Sequence, residues 1–147
     1  MQTGGLPSGL PSALIDTGAL LALIDDRERL HSACGDALKH LRLPLTTTSA
    51  VLAETFHFAL KRQDLRQLVW DFIRAGGAVL APITDADLPA LEALMARYAD
   101  RPMDFADATL VHVAEREGLK TILTIDHDDF ETYRIGRNSK FRILPAR

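Results

Sequence analysis

Short apolar runs take turns along this chain with longer stretches in which apolar residues recur every three or four positions. That is the pattern of strands alternating with amphipathic helices. The runs at 12–16, 45–48, 78–83, 121–125 and 141–144 predict five strands. Helices are predicted between them at 17–24, 25–41, 50–62, 65–75, 84–98 and 104–117. Polar residues mark several starts. Asp25 with Glu28 resembles a capping box, Ser49 and Asp64 can cap the next two helices, and Thr84 with Asp87 opens the fifth. Pro44 punctuates ahead of the second strand, Gly76-Gly77 stops the fourth helix and Gly118 the sixth. Such alternation implies an α/β fold, with a central parallel sheet of about five strands and helices on both faces. Residues 1–11, rich in Gly, Pro, Ser and Leu, are expected to form a flexible tail, and 12–147 one domain.

Acids stand where these elements begin or end. Asp16 closes Ala13-Leu14-Ile15-Asp16, and Asp126 closes Thr121-Ile122-Leu123-Thr124-Ile125-Asp126. In an open parallel sheet the carboxyl ends of strands line the ligand crevice, so two acids at two strand ends can share a site. Glu54 lies in the largely apolar stretch 49–56, and Asp104 and Asp107 stand three apart at a helix start. A carboxylate in or beside an apolar run is costly unless something neutralises it, and a set of hard oxygen ligands suits Mg2+ or Mn2+.

Each acid also has a purely structural reading. Asp16 can cap the helix that follows, Glu54 can be an exposed helix glutamate, and Asp104 with Asp107 can be a capping pair that favours the helix dipole. Asp126, with Asp128 and Asp129 behind it, can belong to a polar loop. Asp107 faces more apolar neighbours than Asp104 and is the preferred ligand, with Asp104 second. Thr17 and Thr124 carry hydroxyls beside the two strand-end acids and could orient carboxylates. Of the histidines only His57 is near this set, and a solvated or core role suits it.

Composition narrows the setting. The 47% hydrophobic and 25% charged fractions are those of a globular protein, and no run approaches the length of a membrane span. Cys34 is the sole cysteine, which excludes an intrachain disulfide and cysteine-cluster zinc and points to a reducing, cytoplasmic setting. The net charge of −3 argues against a polyanion partner, but its distribution matters more. Residues 132–147 carry five basic side chains and no acid, either a solvated strand end or an RNA-binding patch in which Arg137 and Lys140 would take part.

Three segments together resemble the PIN domain, the nuclease fold of VapC-type toxins. They are Leu14-Ile15-Asp16-Thr17-Gly18-Ala19-Leu20-Leu21-Ala22-Leu23, then Ser49-Ala50-Val51-Leu52-Ala53-Glu54-Thr55, then Asp107-Ala108-Thr109-Leu110-Val111 running on through Thr124-Ile125-Asp126 to Asp129-Phe130. The resemblance spans about residues 13–144 and puts the family's four acids on Asp16, Glu54, Asp107 and Asp126. Two positions depart from it: Asp104 adds an acid, and His112 stands where the family has a small or apolar residue. The resemblance implies an Mg2+- or Mn2+-dependent endoribonuclease, often a homodimer and often held inactive by a cognate antitoxin protein.

A receiver-like domain with an aspartyl nucleophile fits less well. The middle strands end at Thr48 and Ile83 with no aspartate, and Lys120 precedes its strand. A PIN-like module that binds RNA or a partner without cutting, and a housekeeping RNA-processing nuclease, stay open as alternatives.

Overall fold

The computed structural model describes residues 9–147, so all but the last three positions of the expected tail lie outside the described residues. Five strands form one parallel sheet: β1 (Ser12–Ile15), β2 (Arg42–Thr47), β3 (Ala78–Leu80), β4 (Thr121–Leu123) and β5 (Arg142–Leu144). Their spatial order is β3-β2-β1-β4-β5. The chain therefore builds outward from β1 to one side and then returns to build the other, which makes the β1–β4 junction the switch point of the sheet.

Seven α-helices are described: α1 (Thr17–Ile24), α2 (His31–Leu38), α3 (Ser49–Phe58), α4 (Gln63–Arg74), α5 (Leu88–Arg97), α6 (Phe105–Glu117) and α7 (His127–Thr132). Side chains of β1 alternate between two cores, as the period of a strand requires. Ala13 and Ile15 pack with Leu20 of α1, Cys34 of α2 and Leu123 of β4. Leu14 packs on the opposite face with Val51 of α3, Leu91 of α5, Leu110 of α6 and Ile122 of β4. Both faces are thus covered, and all three β1 residues are fully buried. At the base of α6, Asp104 accepts a hydrogen bond from the Asp107 amide (2.8 Å). At its end Gly118 takes the left-handed conformation (φ 71°) that terminates helices.

Several expected boundaries move. Asp25 opens no helix: it ends α1, and its carboxylate receives Arg62 at 3.0 Å, so α2 starts only at His31. Thr48 rather than Ser49 caps α3, accepting from the Val51 amide. Asp64 lies in the first turn of α4 and pairs with Arg62 instead of capping. Pro44 sits inside β2 rather than before it. It occupies the stretch where the β1–β2 register shifts, between the pairs Ser12–Arg42 and Leu14–Thr46, and there a missing amide hydrogen is tolerated. The third strand stops at Leu80, two residues before Pro82. The polar stretch after Asp126 is a helix, α7, where a loop is one expectation. Among the described residues no helix is long and apolar enough to cross a membrane.

Candidate functional site

At the carboxyl edge of the sheet a cleft of about 440 Å³ opens over the switch point. Asp16, Glu54, Asp107 and Asp126 all line it, together with Thr17, Asp104 and Asp129. Each acid arrives on a different element. Asp16 follows β1 as the N-cap of α1, Glu54 stands midway along α3, Asp107 is in the first turn of α6, and Asp126 caps α7 after β4. Gly18 allows the close approach between these pieces, since a Cβ there would lie 2.9 Å from Cγ1 of Ile125.

Asp16 takes the capping role and has a second oxygen engaged as well. Asp16 Oδ1 does accept the Ala19 amide (3.2 Å), while Oδ2 accepts the buried Thr124 hydroxyl (2.5 Å). Thr124 in turn accepts the Asp126 amide (2.9 Å), so one hydroxyl ties the two strand-end acids together. Thr17 donates to Glu54 Oε1 (2.5 Å). Both threonines expected to orient carboxylates thus contact them. Asp126 Oδ1 accepts the Asp129 amide (3.3 Å), and Asp104 spends one oxygen on its cap.

The hydrogen bonds that these acids accept come from neutral donors. Several other carboxylates are paired: Asp25 with Arg62, Asp87 with Arg116 and His112, Asp128 with Arg147, and, at the cleft itself, Asp129 with Arg101. Among the described residues none of Asp16, Glu54, Asp104, Asp107 and Asp126 enters an ion pair. The charges are felt. Burial, only partly offset by the Thr124 hydroxyl, pushes the Asp16 carboxyl up to about 6. Burial and then the neighbouring Asp104 push Asp107 up to about 8, and burial also raises Asp126.

An oxygen-only set of acids without ion-pair partners, with Asp16, Asp107 and Asp126 raised, has the donor chemistry that suits a hard divalent cation. Among the described residues no group of three or more His, Cys, Asp or Glu side chains stands close enough together to hold a metal ion.

Sequence reasoning missed some of the lining. Tyr133 donates to Asp107 Oδ2 (2.9 Å), Arg101 holds Asp129 (2.8 Å), and Phe58 and Glu28 form part of the wall. The apolar pair Phe130 and Tyr133, three apart, could have signalled both the α7 turn and an inward-facing tyrosine. Arg137 and Lys140, proposed from charge pattern, are exposed and do not line the cleft. Lys140 instead borders a separate hollow with Glu131 and Arg147 along the β5 edge. His57 is exposed at the end of α3 and His112 binds Asp87, so neither serves the cleft.

The PIN domain family model matches residues 13–136. Ribonuclease VapC26 of Mycobacterium tuberculosis is 29% identical over 134 residues, covering 90% of this chain and 99% of that protein. The crystal structure of Mycobacterium tuberculosis VapC20, a toxin that cleaves the sarcin–ricin loop, superposes with a TM-score of 0.69 at 22% identity. It covers 80% of this chain and 92% of that one.

The raised acids set a pH dependence. A carboxyl whose folded value exceeds its unfolded value, about 3.9, stabilises the fold below the unfolded value and loses that contribution as pH rises through the folded one. Metal-free protein should therefore lose stability between about pH 4 and pH 8 through Asp107. Asp107→Asn should flatten this slope and raise stability at pH 8.5 by about 1–3 kcal/mol, a discount on ~1.4 kcal/mol per pH unit for water reaching the cleft. Urea unfolding in chelator across this range checks it. Equal slopes in both proteins would mean that Asp107 is not held in its acid form.

Proposed function

The chain belongs to the PIN-domain family, and from that premise we propose that it is an endoribonuclease dependent on Mg2+ or Mn2+, the toxin of a toxin–antitoxin pair. The observation that carries the reading is the set of four acids, Asp16, Glu54, Asp107 and Asp126, lining one cleft with no cationic partner. The similarity to Ribonuclease VapC26 supports RNA as the substrate class. Asp16 and Asp107 would hold the principal cation, with Glu54 and Asp126 completing the site and Asp104 in reserve. When bound, such a cation acidifies water and offsets charge developing on a phosphodiester.

The chain's own groups account for the rest. Thr124 and Thr17 fix the rotamers of Asp16 and Glu54, so that the carboxylates are set before a ligand arrives. Asp107, holding its proton at neutral pH, must release it to act as a ligand, which ties cation affinity to pH. The unneutralised cleft repels a phosphate backbone until its charge is offset, so RNA engagement follows cation loading.

Asp16→Asn should reduce Mn2+- or Mg2+-dependent cleavage of RNA to background while leaving the metal-free melting temperature unchanged or higher. The amide oxygen can still accept the Ala19 amide, so the cap survives. Retained cleavage would remove Asp16 from the site. A clear loss of stability without metal would assign it to capping.

Arg137 and Lys140 would extend the RNA contact beyond the cleft. Neutralising both should weaken RNA binding and lower the salt slope of log K by about 1. An unchanged slope would return them to a solvated strand end.

Partner contacts would use apolar residues left over from the core. Leu20 is buried and Leu21, Leu23 and Ile24 are half-buried in α1, whereas Phe58 is 64% and Leu60 62% exposed. These two, beside the cleft wall, suit a second copy or an amphipathic antitoxin helix. Sedimentation of the chain, alone and co-expressed with the product of a neighbouring short reading frame, should show a dimer or a hetero-complex. A monomer that ignores that neighbour and cuts RNA freely would remove the toxin assignment and leave the nuclease.

A further inference from the structure

Three acids of the cleft are each held by one hydroxyl delivered from a different element. Thr124 holds Asp16 and Thr17 holds Glu54, and both threonines adjoin acids in sequence or along a strand end. The third hydroxyl is Tyr133, which lies just past α7 and donates to Asp107 Oδ2 at 2.9 Å. Asp107 Oδ1 accepts no hydrogen bond from the described residues, so this one contact decides which oxygen faces the cleft.

The tyrosine is well placed to impose that choice. Its side chain is 1% exposed, and its ring meets Phe130 at 5.2 Å and 86° and Tyr98 at 5.2 Å and 70°. Phe130 is backed in turn by Phe141. Edge-to-face stacking of this kind fixes a ring plane, and with it the line along which the hydroxyl can donate. Main-chain contacts hold the ends of the segment. The Tyr133 amide bonds to the Asp129 carbonyl (3.0 Å), and the Arg134 amide bonds to the Tyr98 hydroxyl (2.9 Å).

We infer that Tyr133 is the positioning residue for Asp107, and that α7, with Asp126 at its start and Tyr133 beyond its end, sets two acids of the cleft as one unit. The inference rests on the cation-dependent reading of the site. Tyr133 does not touch substrate or reacting atoms; it acts through the Asp107 carboxylate. Groups that orient a ligating carboxylate typically change metal affinity by 10- to 100-fold when removed.

Mn2+ binding to the full-length chain, followed by EPR without RNA, tests this. Tyr133→Phe should weaken Mn2+ binding about tenfold or more, with the metal-free melting temperature changed by only a few degrees. In an Asp107→Asn background the same substitution should change Mn2+ affinity little, because the hydroxyl no longer orients a ligand. Unaltered affinity in the single variant, or an equal loss in both backgrounds, overturns the role and leaves Tyr133 as packing. A wild-type chain that binds no Mn2+ overturns it too. A chain that binds Mn2+, shows the coupling and yet cuts no RNA keeps the inference and removes the nuclease reading.

A second measurement needs no variant at residue 133. Tyr98 and Tyr133 are the chain's two tyrosines, so fluorotyrosine labelling yields two ¹⁹F signals, assigned with Tyr98→Phe. Mg2+ should move the Tyr133 signal more than the Tyr98 signal. A Tyr133 signal indifferent to Mg2+ also overturns the inference.

Discussion

Asp16 is a carboxylate that folding takes out of water at the end of a strand whose last three residues are fully buried. Ala13, Leu14 and Ile15 ahead of it are each fully covered, so the strand cannot shift to re-expose it without opening both cores. Only neutral groups meet it there: one hydroxyl and one amide. Neutral donors lower the cost of a buried charge but do not cancel it, and the proton affinity of the group rises accordingly. The same imbalance recurs at Asp107, where Asp104 adds to it. Arginines are available nearby, but they are spent one layer out. Arg101 closes on Asp129 at the cleft margin and Arg62 on Asp25. Asp129 and Asp25 are thereby neutralised, whereas Asp16 and Asp107 have no cationic partner among the described residues.

Topology explains why this concentration of charge falls where it does. Strands β1 and β4 are neighbours in space yet more than a hundred residues apart in sequence, with the register Ala13–Thr121, Leu14–Ile122 and Ile15–Leu123. The connections leaving them turn to different sides of the sheet, which leaves a crevice between the two strand ends. Asp16 directly after β1 and Asp126, three residues past the end of β4, both line that crevice. Helices α3 and α6 pack against one another across the same face, with the Thr48 and Thr109 hydroxyls bonded at 2.8 Å between them, and bring Glu54 and Asp107 to the opposite wall. The cores beneath are apolar and fully buried, so the site stands on a base that tolerates the repulsion above it.

Much of this could be read in the chain itself, because the strands obey alternation and the acids sit at their ends. The five strands, their parallel arrangement and the gathering of acids at the carboxyl edge follow from local pattern plus the rule that parallel sheets bind there. The partner each threonine takes, Asp16 for Thr124 and Glu54 for Thr17, does not follow from it. What escaped reading depends on contacts that local pattern does not carry. Asp25 has the spacing of a capping box, yet an arginine 37 residues later takes its carboxylate. Thr48 and Ser49 are equally good caps on paper, and only the register of β2 decides between them. The segment after Asp126 is polar by composition, and its helix exists because Asp126 caps it and Phe130 anchors it in the core. The basic run near the C-terminus is legible as charge, but sequence does not say which sheet edge it occupies. Lys140 precedes β5 and lies outside the cleft, in the hollow it shares with Glu131 and Arg147.

That last placement bears on how a polyanion could meet this protein. A cleft of like charge does not attract a polyanion by itself, and Arg101 and Arg147 are engaged with Asp129 and with Asp128 and Glu131. Charge brought into the cleft would supply attraction there, while basic side chains outside it, Arg137 and Lys140 among them, would add affinity for a strand long enough to reach them. The exposed Phe58 on the cleft wall offers an apolar face at the same opening, available to a nucleobase or to a partner's side chain. Either group seated on Phe58 would lie beside the acids that share the cleft with it, Asp16 among them.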